Sequence, residues 1–279
     1  MTTIDLANIE KFESGMKALG LGHEVRWTLE EMCRTQSGEE FLNDVLERRR
    51  NHEPLAYIFG HWQFRDLELH VAPGVLIPRP ETEELVDYVL EGLRPRSKTF
   101  ASWNLVDAGA GSGCLGISLV REAKKKFGYD MKLTLIERSL DALPTLLKNV
   151  RDFAPSAEVF EGSWMHWVPR EKVQVFVSNP PYISGQKADR ADPSVEEWEP
   201  REALYPDDLH KHTDASGPYR ELIKIADLVV ERGGIAAFEL GPAQASWIET
   251  YVKENFPLWI GHLRIDMAGK PRFWIMERV

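Results

Sequence analysis

Asn104-Leu105-Val106-Asp107-Ala108-Gly109-Ala110-Gly111-Ser112-Gly113 is the stretch that decides how this chain folds. Asn104 to Ala108 reads as a short apolar strand, the glycines as a turn, and Cys114 to Phe127 as a helix. Glycine there lets the backbone approach a ligand where a side chain would clash. In open parallel sheets ligands bind in the crevice beyond the strand ends. Glu137, closing the next strand, is placed to accept hydrogen bonds from two ribose hydroxyls.

The strand–helix alternation continues downstream. Leu133 to Glu137 reads as a strand, Leu140 to Val150 as a helix, Glu158 to Phe160 as a strand and Val173 to Ser178 as another. Tyr219 to Glu231 follows as a helix, Gly234 to Leu240 as a strand, Ala243 to Asn255 as a helix, then two strands over Leu258 to Ile265 and Arg272 to Met276. Such alternation specifies an α/β fold, a mostly parallel sheet with helices on both faces. Residues 184–216 are polar and without periodicity, the signature of a lid or recognition loop.

Upstream, residues to about His52 read as a small helical unit, with Ser37 and Glu40 at capping-box spacing before Phe41, Leu42, Val45 and Leu46. Glu53-Pro54 ends it. Phe64 to Val71 alternates apolar and polar residues as a half-buried strand does, Pro73-Gly74 is a turn, and Val75 to Ile77 is a candidate returning strand. Pro80 and its neighbouring acids then open a helix carrying Leu85, Val86, Val89 and Leu93 on one face. The domains expected are 1–52, helical; 53–78, a β-hairpin linker; and 79–279, the α/β unit.

The second informative stretch is Val175-Phe176-Val177-Ser178-Asn179-Pro180-Pro181-Tyr182-Ile183. Its plain reading is a strand end followed by a proline turn and a core tyrosine. Its chemical reading is a receptor for a planar NH2 group. The Asn179 amide oxygen can accept one N–H and the Pro180 carbonyl the other. The prolines stiffen the loop before a substrate arrives, and Tyr182 offers a flat face.

The glycine loop leaves two cofactors open. Gly111-x-Gly113-x-x-Gly116 matches the dinucleotide fingerprint, with Glu137 at a suitable distance. S-adenosyl-L-methionine uses the same acidic clamp and has no pyrophosphate, and Asp107 and Gly109 suit it better. The Asn179 loop decides for methyl transfer to an NH2 group, since hydride transfer has no use for it.

Composition narrows the setting. With 279 residues the chain can bury a full core, and 34 Lys+Arg against 44 Asp+Glu give a formal charge of −10. A protein gripping long nucleic acid usually shows a basic stripe. Here the basic clusters Arg48-Arg49-Arg50 and Lys124-Lys125-Lys126 read as solvated helix ends. No stretch approaches a membrane span, and the first ten residues show no targeting signal. Cys33 and Cys114, far apart in sequence, read as reduced thiols of a cytoplasmic protein, with a mitochondrial matrix as the alternative setting.

These motifs together resemble the HemK/PrmC family, the protein-glutamine N-methyltransferases that modify peptide chain release factors. The resemblance runs through Pro54-Leu55-Ala56-Tyr57-Ile58-Phe59-Gly60, Leu76-Ile77-Pro78-Arg79-Pro80-Glu81-Thr82-Glu83, Asp107 to Gly113, Asn179 to Ile183, Glu199 to Leu204 and Ala268 to Arg272. It implies a class I (Rossmann-like) S-adenosylmethionine-dependent methyltransferase sheet with an N-terminal helical substrate-recognition domain. The implied activity is methylation of the glutamine side-chain amide in the GGQ motif of a class I release factor, a protein partner, with no nucleic acid, membrane or metal needed. The alternative is methylation of the adenine exocyclic amine in DNA or RNA, since Asn-Pro-Pro-Tyr is shared with such enzymes. A third reading is a cofactor-binding subunit with a vestigial loop.

Carried over by position, Asp107, Gly109, Ala110, Gly111, Ser112, Gly113, Glu137, Trp164 and Asn179 would bind cofactor. Asn179, Pro180 and Tyr182 would be catalytic, and Asn179, Pro180, Pro181, Tyr182, Arg79 and Glu81 would bind substrate. Glu137 stands where the family usually has aspartate, and Tyr205-Pro206-Asp207-Asp208 replaces a usual glycine pair. No histidine-centred acid–base apparatus is expected. His61, His166, His210 and His212 read as surface or loop residues.

Overall fold

The computed structural model describes residues 6–94, 100, 102–183, 193–206 and 215–279. Helices α1 (Leu6–Ala18), α2 (Val25–Thr35) and α3 (Glu39–Arg50) bury Phe12, Met16, Met32, Leu42, Val45 and Leu46 against one another. The capping box expected at Ser37 does not form. Gly38 is the N-cap with no side-chain hydrogen bond, and the Ser37 hydroxyl pairs with Thr35 instead. After Pro54 a short helix α4 (Leu55–Phe59) leads into a hairpin of β1 (His61–Phe64) and β2 (Leu67–His70). The alternating run Phe64 to Val71 is therefore not one strand, because Arg65, at φ 53°, reverses the chain within it. Val75 to Ile77 is not a strand: Val75 is a bend closing the turn after Ala72, and the segment pairs with no strand among the described residues. Its Ile77 N–H goes to the Glu199 carboxylate instead.

Helix α5 (Pro80–Leu93) starts at Pro80 as expected. The sheet follows, from β3 (Trp103–Ala108), α6 (Cys114–Phe127), β4 (Met131–Glu137), α7 (Leu143–Phe153), β5 (Glu158–Glu161) and β6 (Val173–Ser178). Two pieces of the expected recognition loop are helical, α8 (Pro193–Trp198) and α9 (Arg201–Leu204), while 184–192 and 207–214 lie outside the described residues. Helix α10 (Gly217–Val229) hands over directly to β7 (Val230–Glu239), and the expected helix over Ala243 to Asn255 is two, α11 (Pro242–Ala245) and α12 (Ile248–Asn255). The chain closes with β8 (Trp259–Ile265) and β9 (Pro271–Arg278).

Seven strands pair in the order β5-β4-β3-β6-β7-β9-β8. The first five are parallel, and β9 and β8 add antiparallel at one edge. Side chains alternate across this sheet, as the period-two geometry of a strand requires. On β6, Val175 and Val177 join α5, α6 and α7 on one face, whereas Phe176 joins Tyr219 and Leu222 of α10 and Val252 of α12 on the other. The chain winds outward from β3 in one direction through β4 and β5, then returns to add β6 and β7 on the other side. That reversal opens a crevice beyond the carboxyl ends of β3, β4 and β6, the place where doubly wound sheets bind ligands.

Candidate active site

A cleft of about 930 Å³, partly open to solvent, lies at that reversal point. Its walls include Asp107, Gly109, Ala110, Gly111 and Ser112 after β3, Glu137 after β4, Trp164, and Asn179, Pro180 and Pro181 after β6. Most of the positions assigned to cofactor binding from sequence thus face one space. A second cavity adjoins it, lined by Leu76, Arg79, Asn179, Tyr182, Ile183 and Leu204. Asn179 and Arg79 belong to both.

The glycine loop is held from within. The N–H groups of Gly109 and Ala110 both donate to the Ile136 carbonyl at 2.9 Å, and Gly113 N–H donates to the Ala110 carbonyl at 2.7 Å. Gly111 N–H donates to Glu137 Oε2 at 2.7 Å, and Gly116 N–H to Asp107 Oδ2 at 2.9 Å. Gly116 is needed for that last contact, since a Cβ there would stand 2.9 Å from the Asp107 Cβ. A pyrophosphate-binding loop offers free N–H groups at its helix start. Here five N–H groups of the loop are spent on acceptors of the protein, two of those acceptors being carboxylates. Two carboxylates turned onto the loop argue against a pyrophosphate and so against the dinucleotide reading of Gly111-x-Gly113-x-x-Gly116.

The same donor set fits a cationic nucleoside. Glu137 accepts Gly111 N–H on one oxygen and Ser139 N–H, at 2.8 Å, on the other. A carboxylate oxygen has a second lone pair, so both remain able to take ribose hydroxyls. Trp164 is 8% exposed, and a Cβ at Gly109 would meet its ring at 3.2 Å. Its indole N–H donates to Glu221 at 3.1 Å, so the ring stands fixed as one wall, with Ile136 and Ala142 as apolar neighbours. Burial pushes the Asp107 carboxyl up to about 7; the Gly116 hydrogen bond opposes that shift and the Glu137 charge adds to it. Burial likewise raises Glu137. A ligand bearing positive charge relieves that strain on ionisation; a phosphate aggravates it.

The Asn179 side of the cleft is equally tied down. The Ser178 hydroxyl donates to the Ala108 carbonyl, joining the ends of β6 and β3. Asn179 Nδ2 donates to Thr82 Oγ1 at 3.1 Å, and the Thr82 hydroxyl donates to Glu239 Oε2 at 2.7 Å. Asn179 Oδ1 has no protein partner among the described residues. Tyr182 packs against Gly241, where a Cβ would lie 2.9 Å from its ring. Burial first, and then the Glu239 charge, raise its hydroxyl well above the usual phenol range, so it is a neutral ring surface and not a base. Arg79 pairs with Glu199 at 2.6 Å, and Glu199 also accepts Ile77 N–H at 3.0 Å. Glu81 lines neither cavity; its charge acts on Glu239.

Several contributors carry no signal of their own in the sequence. Thr82 and Glu239 are 2% and 1% exposed and support Asn179 from beneath. Asn149 of α7 accepts His70 N–H and donates to the His70 and Ser112 carbonyls, clamping the hairpin to the glycine loop. Tyr57 donates to the Val75 carbonyl at 2.7 Å and fixes the segment that lines the cleft at Val75 and Leu76. Of these, Tyr57 lies inside the motif Pro54-Leu55-Ala56-Tyr57-Ile58-Phe59-Gly60 and Thr82 inside Leu76-Ile77-Pro78-Arg79-Pro80-Glu81-Thr82-Glu83, whereas Asn149 and Glu239 lie in neither. The His61 ring lies 3.1 Å from Glu31 and 3.5 Å from Glu68 and His166 is exposed, and neither lines the cleft. His210 and His212 lie outside the described residues.

Residues 87–193 match the Methyltransferase small domain family. A release factor glutamine methyltransferase of Nitratidesulfovibrio vulgaris is 33% identical, over 85% of this chain and 77% of its own length. One from Caulobacter vibrioides is 35% identical over 75% of this chain and 68% of its own. The chain belongs to the release factor glutamine methyltransferase family. An Enterococcus faecalis member of that family shares 29% identity over 91% of this chain and 87% of its own. A solved Listeria monocytogenes structure, described as a class I S-adenosylmethionine-dependent methyltransferase, aligns with TM-score 0.50 over 74% of this chain and 63% of its own. At 13% identity that likeness speaks for the fold alone. A member of this family on this fold is a methyltransferase whose methyl donor is S-adenosyl-L-methionine, the cofactor the donor set fits. No helix among the described residues is long and apolar enough to cross a membrane.

Proposed function

We propose that this protein methylates the side-chain amide nitrogen of a glutamine in a peptide chain release factor, the one in the GGQ motif of class I factors. The observation that carries the reading is Asn179, with its amide nitrogen engaged by Thr82 and its oxygen left for a ligand at the junction of the two cavities. The names of the 33% and 35% identical relatives supply the substrate class.

When bound, S-adenosyl-L-methionine supplies an electrophilic methyl group; everything else is asked of the protein. An amide nitrogen is a poor nucleophile because its lone pair is delocalised into the carbonyl. Asn179 Oδ1 and the Pro180 carbonyl accept its two N–H groups and turn the lone pair toward the donor. The same two oxygens stabilise the positive charge that grows on nitrogen. Holding the reactants so is worth an effective molarity of about 10⁵ M or more. Pro181 and Tyr182 shape the slot, Arg79 stands at its border, and the N-terminal helical unit is the surface that meets the release factor. The substrate proton leaves after transfer, so no strong base is required.

Adenine in nucleic acid loses on charge: the chain carries a net charge of −10, and Asp107, Glu137 and Glu202 line the cleft. The test is incubation with radiolabelled S-adenosyl-L-methionine and one of three acceptors: release factor, its GGQ Gln→Ala variant, or DNA. Label in the first alone is expected. Label in DNA, or equal label in the Gln→Ala variant, overturns the reading.

A further inference from the structure

A carboxamide is nearly symmetric in shape but not in chemistry, since one end accepts and the other donates. Only the oxygen of Asn179 can receive a substrate N–H; with the amide reversed, two N–H donors would face an NH2 group. Something must therefore fix which end points into the cleft. Asn179 Nδ2 lies 3.1 Å from Thr82 Oγ1, which lies 2.7 Å from Glu239 Oε2. Thr82 sits in the first turn of α5, and Glu239 ends β7.

A hydroxyl has a single proton. An ionised Glu239 accepts only, so Thr82 commits its proton there and turns lone pairs toward Asn179, which must answer with Nδ2. A protonated Glu239 can donate to Thr82, whose own proton then turns toward Asn179 and matches Oδ1. We infer that Thr82 and Glu239 are positioning residues whose directional hydrogen-bond chain sets the Asn179 carboxamide with its oxygen toward the methyl acceptor. This rests on the proposed amide methylation.

Burial, above all, pushes the Glu239 carboxyl up to about 7. The Thr82 hydrogen bond and the Arg272 charge from β9 oppose that shift, as does Arg79, while Glu81 adds to it. Tyr182 and Cys114 also feel its charge, and the Tyr219 hydroxyl of α10 donates to its backbone carbonyl at 2.7 Å. Turnover is accordingly expected to fall on the acid side of neutrality as Glu239 takes up a proton and the chain reverses.

The test compares Thr82→Val, Thr82→Ser and Glu239→Gln on release factor, with cofactor affinity measured by calorimetry. A second readout follows the ¹⁵N side-chain amide resonance of Asn179, assigned by its loss in Asn179→Ala. Thr82→Val should lower kcat by about tenfold or more with cofactor affinity within about threefold, and Thr82→Ser should restore it. The wild-type acid limb near pH 7 should vanish in Glu239→Gln, and the Asn179 resonance should titrate in wild type but not in that variant. Wild-type kcat in Thr82→Val beside a dead Asn179→Ala, or a resonance indifferent to pH, overturns the positioning role and leaves the amide methylation standing. Wild-type protein that does not methylate release factor overturns the amide methylation, and the resonance still decides the orientation.

Discussion

Replacing Gly109 by alanine tests how the cofactor wall is built. Gly109 has φ 76°, and its added Cβ would stand 3.2 Å from the Trp164 ring. An L-residue in that left-handed conformation costs about 1–2 kcal/mol. The ring contact adds to this, because Trp164 is anchored through Glu221 and, like Gly109, lines the cleft. Gly128, at φ 75° with no atom within 4 Å of an added Cβ, provides the control. It caps α6 far from the cleft, so Gly128→Ala carries the backbone cost alone. Each kcal/mol lowers Tm by about 2–4 °C in a domain of this order of size. Both variants should therefore melt a few degrees lower. Only Gly109→Ala should also weaken S-adenosyl-L-methionine binding, by about tenfold, a factor equivalent to about 1.4 kcal/mol. Calorimetric titration and thermal melts of both proteins measure this directly. Equal cofactor affinity in Gly109→Ala and Gly128→Ala would refute the placement of Trp164 against the nucleoside.

Asn179→Ala removes one of the two acceptors for the substrate amide. Turnover should fall by about 10²–10³ or more while cofactor affinity stays within about tenfold, as single-turnover kinetics and calorimetry will show. Glu199→Ala strands the Ile77 N–H and the Arg79 guanidinium together. Urea unfolding should show a loss of about 1–3 kcal/mol, with Glu199→Gln milder because it keeps an acceptor. Asp107, pushed up to about 7, keeps a proton in the folded protein that the unfolded chain, near about 4, has already released. Its contribution therefore makes stability fall as pH rises between those values. Asp107→Asn should flatten that slope in urea melts of the cofactor-free protein, and an unchanged slope would contradict the burial argument.

The sheet was legible because its strands are short, apolar and separated by long helices. Cys114 to Phe127 and Val173 to Ser178 were bounded correctly from periodicity and glycine placement alone. The hairpin escapes a reading by period because Leu67, Leu69 and Val71 alternate well on their own, and the one break of phase, two polar residues at Arg65-Asp66, is the turn between β1 and β2. The Ser37 capping box failed because Gly38 supplies the cap, and glycine leaves no mark on hydrophobic periodicity. Short helices α8 and α9 are held by tertiary contacts such as Glu199 to Ile77, which no local pattern announces. The cofactor loop and the Asn179 loop were visible since each concentrates unusual residues in one run. Thr82, Glu239 and Asn149 were not, being single polar residues in otherwise ordinary helix or strand sequence, drawn together only by the fold. The dinucleotide ambiguity lay beyond reach of the sequence too, for it turns on where five backbone N–H groups point.

On the proposed function a glutamine amide, held by Asn179 Oδ1 and the Pro180 carbonyl, receives the methyl group. Fragment-ion mass spectrometry of release factor after incubation with this protein and S-adenosyl-L-methionine tests it most directly. One added methyl on the side chain of the GGQ glutamine is the expected result. An unmodified factor, or methylation at any other residue, would contradict the account.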